Sequence, residues 1–429
     1  MSETNEEEIV LQATRTTAGG RLFRLLIGAL ILVSAAAQFA LVPVMPVYAR
    51  RFGLSGFEQG MVLGATGLAT LVVSVPAGTL SDRFGARRIT LAAGLLMALA
   101  TAGQALAGDF PALLAARLAF GAGYGMVWTA GLCWLAGAMA GGPPAMGGSV
   151  AAAGVGGVAG PAASGALAQS LGLAVPLLAT AIGFVLITAG LAVLAVPPGP
   201  AAPYQASPSG QRGGHRIGQA HRDLAGAVAA VVTAGLSTGV SALLVPAMLH
   251  AAGASSGQIG LAFAAAGITF AVGSALIAAA GRRAVNLPVT CAGMLVLAAA
   301  LTLAVVGTTP LPLIAMLCVT TAARSVLWTV SYPLAAGSGA GPGLGASVGL
   351  LNVIWAATAV LGPLGAGLAA EHFGAPAAFG LTQATCVAAL AVTAALTWPS
   401  ARIRRAGQVG HGLPAEIEHR HRLAGRADL

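Results

Sequence analysis

The chain has 429 residues, of which 57% are apolar and only 8% are charged. That balance excludes an ordinary water-soluble domain, in which about a quarter of residues carry charge. The formal charge of +9 comes entirely from arginine, since the chain has no lysine, and those arginines must be placed against a membrane before nucleic acid is invoked as a partner.

Apolar runs of about 20 residues, each long enough to cross a bilayer as a helix, recur along the whole length. They are continuous rather than alternating, which selects helices over barrel strands. The N-terminal tail, residues 1–21, is acidic, with Glu3, Glu6, Glu7 and Glu8. The first run is too long for the core of a cleaved signal peptide and is expected to be retained. Twelve spans follow, at residues 22–48, 58–80, 89–106, 110–139, 145–170, 174–196, 224–250, 258–280, 287–306, 311–336, 344–370 and 375–398. With both termini cytoplasmic, 17 arginines fall on the inside and only Arg50 and Arg51 on the outside, with Arg117 and Arg324 left within spans. The positive-inside rule fixes that orientation. The expected location is the plasma (inner) membrane.

Residues 197–222 begin Pro197-Pro198-Gly199-Pro200 and continue polar and Pro/Ser/Gly-rich, the composition of a flexible cytoplasmic linker. They divide a first six-helix unit, residues 22–196, from a second, residues 223–399. A cytoplasmic tail, residues 400–429, closes the chain. The halves repeat at an offset of about 200 residues: Leu41-Val42-Pro43 as Leu244-Val245-Pro246, Trp128-Thr129 as Trp328-Thr329, and Gly160-Pro161 as Gly362-Pro363. Repeated halves are the layout of transporters whose two bundles rock about a site near the bilayer midplane. The fold class expected is therefore an all-α membrane protein with twelve transmembrane helices in two pseudo-symmetric six-helix bundles.

A charged hinge, Gly78-Thr79-Leu80-Ser81-Asp82-Arg83-Phe84-Gly85-Ala86-Arg87-Arg88, joins the second and third spans. Gly85 permits a tight turn at positive φ, Asp82 suits a helix N-terminus or an arginine, and Arg83, Arg87 and Arg88 can reach phosphates or carboxylates. In Gly156, Gly160, Pro161, Ser164 and Gly165, the glycines allow close helix approach and the proline a kink. An arginine within a span costs at least a few kcal/mol unless it is paired or faces water, which singles out Arg117 and Arg324. Arg117, Gly121, Tyr124 and Trp128 share one helical face, as do Arg324, Trp328 and Tyr332. Such aromatic walls with two cations suit a flat, partly apolar, anionic ligand, although the same arginines would also serve as structural donors to backbone carbonyls. Gln38, Ser241 and Asn352 are polar cavity candidates.

The hinge resembles the signature between the second and third helices of the major facilitator superfamily, and the twelve spans with a central linker match that family over nearly the whole chain. Pro43-Val44-Met45-Pro46, the stretch from Arg117 to Gly123, and the Gly156–Gly165 motif resemble motifs of its drug:proton antiporter branch. The resemblance implies multidrug efflux by alternating access, with the hinge governing opening on the cytoplasmic side and the Gly156–Gly165 motif associated with export. It also places the substrate cavity among the first, fourth, seventh and tenth helices.

No Asp or Glu lies in the middle of a span, so the candidate proton carriers are Asp82 and Asp109, with His250 a further titratable group near a helix end. Cys133, Cys291, Cys318 and Cys386 fall within spans and are read as small apolar residues. The tail histidines His411, His419 and His421 lack ligand spacing, so no metal or other cofactor is expected. No set of nucleophile, base or metal ligands suggests an enzyme. The expected function is proton-coupled export of drug-like or secondary-metabolite small molecules by a monomeric carrier whose partners are substrate, protons and membrane lipids, with no nucleic acid. The alternative is an organic-anion carrier, for uptake or exchange, with the substrate charge bound by the midspan arginines.

Overall fold

A computed structural model describes residues 3–138, 144–194, 217–306, 309–337 and 344–410. It contains twelve helices long and apolar enough to span a membrane: α1 (Gly19–Phe52), α2 (Gly56–Phe84), α3 (Ala86–Leu106), α4 (Phe110–Leu135), α5 (Ala151–Leu171), α6 (Val175–Val193), α7 (His221–Ala251), α8 (Ser256–Arg283), α9 (Leu287–Ala304), α10 (Pro310–Ala335), α11 (Gly349–Phe373) and α12 (Ala375–Leu396). All twelve expected spans are present as helices. The helix bearing α7 starts at Ile217, inside the expected linker, so residues 217–222 are helical. The linker's residues 197–216 and the tail histidines lie outside the described residues.

Local chemistry explains where the helices stop. Ser55 and Ser255 each form a capping box, the first with Glu58 and the second with Gln258, so each helix start satisfies a backbone N–H that would otherwise lack a partner. The two boxes sit 200 residues apart, as the repeat requires. Asp109 caps α4 by accepting from the Ala112 N–H at 2.9 Å. Gly85, at φ 88°, makes the hinge in a single residue between α2 and α3, a conformation that strains any residue with a Cβ. In α1 the prolines Pro43 and Pro46 cannot donate, and the helix breaks into a short 3₁₀ turn at Val42–Val44. Ser164 of α5 donates to the Ala40 carbonyl at this break, at 2.6 Å.

The two ends of the molecule are built differently. One end carries the hinge; the other carries Arg50 and Arg51. At the Arg50 end the bundles are packed backbone to backbone, with Gly56, Gly60 and Gly64 of α2 against Gly367, Pro363 and Val360 of α11. Gly165 of α5 likewise meets Ser256 and Gly260 of α8. Followed toward the hinge, the same helix faces emerge into the open: Val75 on α2 is 76% exposed, Val155 on α5 57% and Val353 on α11 53%. The bundles are therefore sealed at the Arg50 end and diverge toward the hinge.

The hinge itself lies at that open end, with Asp82, Arg83 and Gly85 exposed. Asp82 forms no hydrogen bond or ion pair among the described residues, so the hinge is not holding the bundles together in this state. Arg87 reaches away from the gap and donates to the Ala192 carbonyl of α6 at 2.7 Å, tying down the end of a helix in its own bundle. Arg87→Ala should lower the stability of the N-terminal bundle by about 1 kcal/mol, because the pair is solvent-screened. Thermal unfolding measures it.

Candidate functional site

Arg117 lies on α4, two turns in from the Arg50 end, and is among the largest fully buried side chains of the protein, at 1% exposure. Its guanidinium is held from two sides. Nη2 donates to the Gln38 carbonyl at 2.8 Å and to Gln38 Oε1 at 3.3 Å, on α1. Nη1 donates to Gln104 Oε1 of α3 at 3.5 Å. The carbon of the guanidinium stands 5.1 Å from the Phe120 ring centre. Nε is buried with no partner, and Arg117 has no ion pair among the described residues.

The carboxylates that could have neutralised it are committed elsewhere. Glu58 caps α2, Asp109 caps α4, Glu371 accepts from the Phe57 N–H at the start of α2, and Asp82 is at the open end. A buried charge without a counter-charge is costly even when hydrogen-bonded, and such cost is retained where it serves a purpose.

Arg117 lines a cavity between the bundles, together with Gln38, Thr66 and Tyr124 from the N-terminal half and Thr238 and Trp355 from the C-terminal half. Its volume is about 90 Å³, well below the roughly 300–1,000 Å³ of sites that enclose a whole drug-sized ligand. Its size suits a single small polar group. A larger groove of about 550 Å³ lies at the Arg50 end between α7, α8 and α10, but no charged side chain lines it.

Not every expected site residue shares this cavity. Gln38, Arg117 and Tyr124 do; Trp128, Arg324, Trp328, Tyr332 and Asn352 do not line it. Under the repeat, Arg324 corresponds to Tyr124 rather than to Arg117, which puts it seven residues, about 10 Å, nearer the hinge. There its Nη2 is held by Thr321 Oγ1 at 2.5 Å while Nη1 is buried without a partner. Trp328 packs on Tyr332 and Trp355, with ring centres 5.3 and 6.0 Å apart, and Tyr332 donates to Asn352 Oδ1 at 2.8 Å. Trp128 sits on a π-turn, Val127–Gly131, which shifts it from the register that simple helical spacing implies; its Nε1 is buried and unpaired.

Gly156 and Gly160 admit α1, whose Leu32 and Ala36 backbones would collide with an added Cβ, whereas Gly165 admits α8 of the other bundle. Gln104, Thr66 and Trp355 were not anticipated. A polar Gln in an apolar span and a Trp one turn from Asn352 were the available signals.

Residues 27–228 match the profile of the family described as Major Facilitator Superfamily. Over that stretch, just under half of its length, the chain is similar to this superfamily. The chain superposes on the "Crystal Structure of A Bacterial Homolog to Human Lysosomal Transporter, Spinster, in Inward-facing And Occupied Conformation" with a TM-score of 0.71 at 16% identity, covering 87% of this chain and 96% of that one. Nucleoside transporter NupG (D323A mutant) gives a TM-score of 0.70 at 13% identity, covering 87% and 99%. At these identities the likeness is one of fold. Among curated proteins, Quinolone resistance protein NorA of Staphylococcus aureus is 31% identical over 86 residues, 20% of this chain and 22% of NorA. Arabinose-proton symporter of Bacillus subtilis is 35% identical over 99 residues, 23% of this chain and 21% of the symporter. The matched stretch thus spans about a fifth of either curated relative.

Proposed function

We propose that this protein is a secondary transporter working by alternating access, which exports drug-like or secondary-metabolite small molecules across the plasma membrane in exchange for protons. The observation that carries the reading is a polar cavity between two bundles that are sealed at one end and apart at the other, the geometry of one state in a rocking cycle. The arginine asymmetry makes the hinge end cytoplasmic, so this state faces inward. Similarity to NorA, a quinolone resistance protein by name, and the antiporter-like motifs support export. Asp82, exposed at the open end, is the better candidate for the proton, since Asp109 is engaged as a helix cap.

The chemistry of the cavity favours a second reading. Arg117, which lines the cavity, keeps an unpartnered donor at Nε, and the pocket offers a cation without a carboxylate. An anionic substrate, carried by uptake or exchange, would satisfy both.

Proteoliposomes loaded with a pH dye separate the two. Amphipathic drugs and small organic anions are added with and without an imposed proton gradient. Proton movement triggered by drugs supports antiport; movement of labelled anions with no proton flux supports the anion carrier. Failure of every compound to move would sink both.

A further inference from the structure

A buried arginine is ordinarily paired with a carboxylate, because an opposite charge offsets the cost of taking the cation out of water. Arg117 is held by two amides instead. Gln38 of α1 accepts from Nη2 through its backbone carbonyl at 2.8 Å and through Oε1 at 3.3 Å. Gln104 of α3 accepts from Nη1 through Oε1 at 3.5 Å. A guanidinium has five N–H donors and no acceptor, so each amide turns its oxygen to the cation. These bonds engage three donors at most, and the Nε–H stays buried without a partner.

The two amides stand differently to the cavity. Gln38 lines it beside Arg117, whereas Gln104 does not and is itself only 1% exposed. Gln104 is fixed at both ends of its residue: its backbone carbonyl accepts from the Tyr48 hydroxyl of α1 at 3.2 Å, and its Nε2 donates to the Ala100 carbonyl one turn back at 3.4 Å. Gln104 therefore acts on the contents of the cavity only through Arg117.

We propose that Gln104 and Gln38 are specificity-determining residues: by holding Arg117 through neutral oxygens they leave its charge uncompensated, and so reserve the cavity for one singly charged oxyanion, a carboxylate or sulfonate group of the substrate. A carboxylate at either position would pair with the arginine for good, and the cavity would then present no net charge to a ligand. The count of charges sets the class. One cation matches one negative charge, and a dianion would bring a second into a desolvated site with nothing to meet it. The volume of about 90 Å³ fits such a headgroup, and the free Nε–H is the donor left for it.

This inference rests on the anion-carrier reading above, and its test isolates charge. Gln104→Glu is close to isosteric, lies outside the cavity and places a carboxylate beside Nη1. Equilibrium binding is measured on the full chain in nanodiscs with radiolabelled benzoate, benzenesulfonate and phenyltrimethylammonium, which put opposite charges on the same flat ring. Binding at equilibrium requires no transport cycle and no coupling ion. The parent should prefer both anions to the cation. In Gln104→Glu the anion-to-cation affinity ratio should fall at least about ten-fold, as expected when a desolvated charge is neutralised. Gln38→Glu should produce the same fall from the cavity side. Gln104→Met, of similar length and without charge, should weaken binding yet keep the ratio within about three-fold of the parent, because losing one hydrogen bond leaves the cation in place.

Thermal unfolding shows which variants are folded, and Gln38→Glu decides the matter if Gln104→Glu is not. A parental ratio in a folded glutamate variant, or an equal fall in Gln104→Met, overturns the proposal while anion binding by the parent stands, and makes the two amides structural partners of Arg117. A parent that binds neither anion overturns the anion-carrier reading, and the proposal with it.

Discussion

Arg117→Met is expected to abolish transport while leaving the melting temperature unchanged or raised. The arginine is fully buried, its cation has no counter-charge, and its Nε has no partner. Replacing a poorly compensated buried charge with an apolar side chain of similar length is commonly neutral or stabilising. Of the three contacts it gives up, two are to the side-chain amides of Gln38 and Gln104, which are flexible and able to find new partners, and the third is to the Gln38 backbone carbonyl.

If the charge instead holds substrate, its removal costs a charge-assisted contact in a desolvated site, roughly a hundred-fold or more in apparent affinity. Arg117→Lys should fail nearly as badly, because a single ammonium cannot reach both Gln38 and Gln104 in the way a planar guanidinium does. The two readouts are uptake into proteoliposomes and thermal unfolding of the same preparations. A methionine variant that transports within about three-fold of the parent, or that melts far below it, would make Arg117 a structural residue.

Arg324→Ala is the weaker companion. Its side chain is only partly buried and is held by Thr321 of the same helix, so its loss should reduce transport without the same contrast in stability.

Much of this was legible in the sequence because lipid imposes simple demands. A span must be a helix of near-fixed length, and a midspan arginine must have a reason to be there. The twelve helices and the singling out of Arg117 and Arg324 follow from those two rules. The partners of Arg117 do not. Gln38 and Gln104 come from α1 and α3, and no periodicity within one span states which neighbouring helix a polar residue will meet. In membranes, helix faces are marked by small residues rather than by an apolar stripe, so a glycine announces close approach without naming the helix that approaches.

Gly156 and Gly165 illustrate the limit. They are nine residues apart in one motif, yet the first admits α1 within its bundle and the second admits α8 across the gap. The π-turn at Val127–Gly131 is likewise invisible to a count of 3.6 residues per turn. The equivalence of Arg324 with Tyr124, by contrast, was available from the repeat at an offset of 200 and shows that two midspan arginines need not share a depth.

The division between the two kinds of glycine yields the second large effect. Gly60 lies on the seam between α2 and α11, where an added Cβ would stand 2.5 Å from the Pro363 carbonyl oxygen and 3.1 Å from the Leu364 Cα. Both obstacles are backbone, so no side-chain rotation relieves them. Gly60→Leu should therefore leave each bundle folded but prevent the Arg50 end from sealing. A penalty of about 3 kcal/mol at the upper end of overpacking costs moves a two-state population more than a hundred-fold, enough to arrest the cycle with that end open. Gly156→Leu makes the opposite prediction from the same chemistry. Its Cβ would intrude on the Leu32 carbonyl inside the N-terminal bundle, so the penalty falls on folding and should appear as a lower melting temperature. Transport, distances between spin labels at Leu171 and Ala252, both exposed and on opposite bundles, and thermal unfolding measured on both variants decide the matter. Equal melting losses in the two would mean that the α2–α11 seam is part of a fixed core and does not open during the cycle.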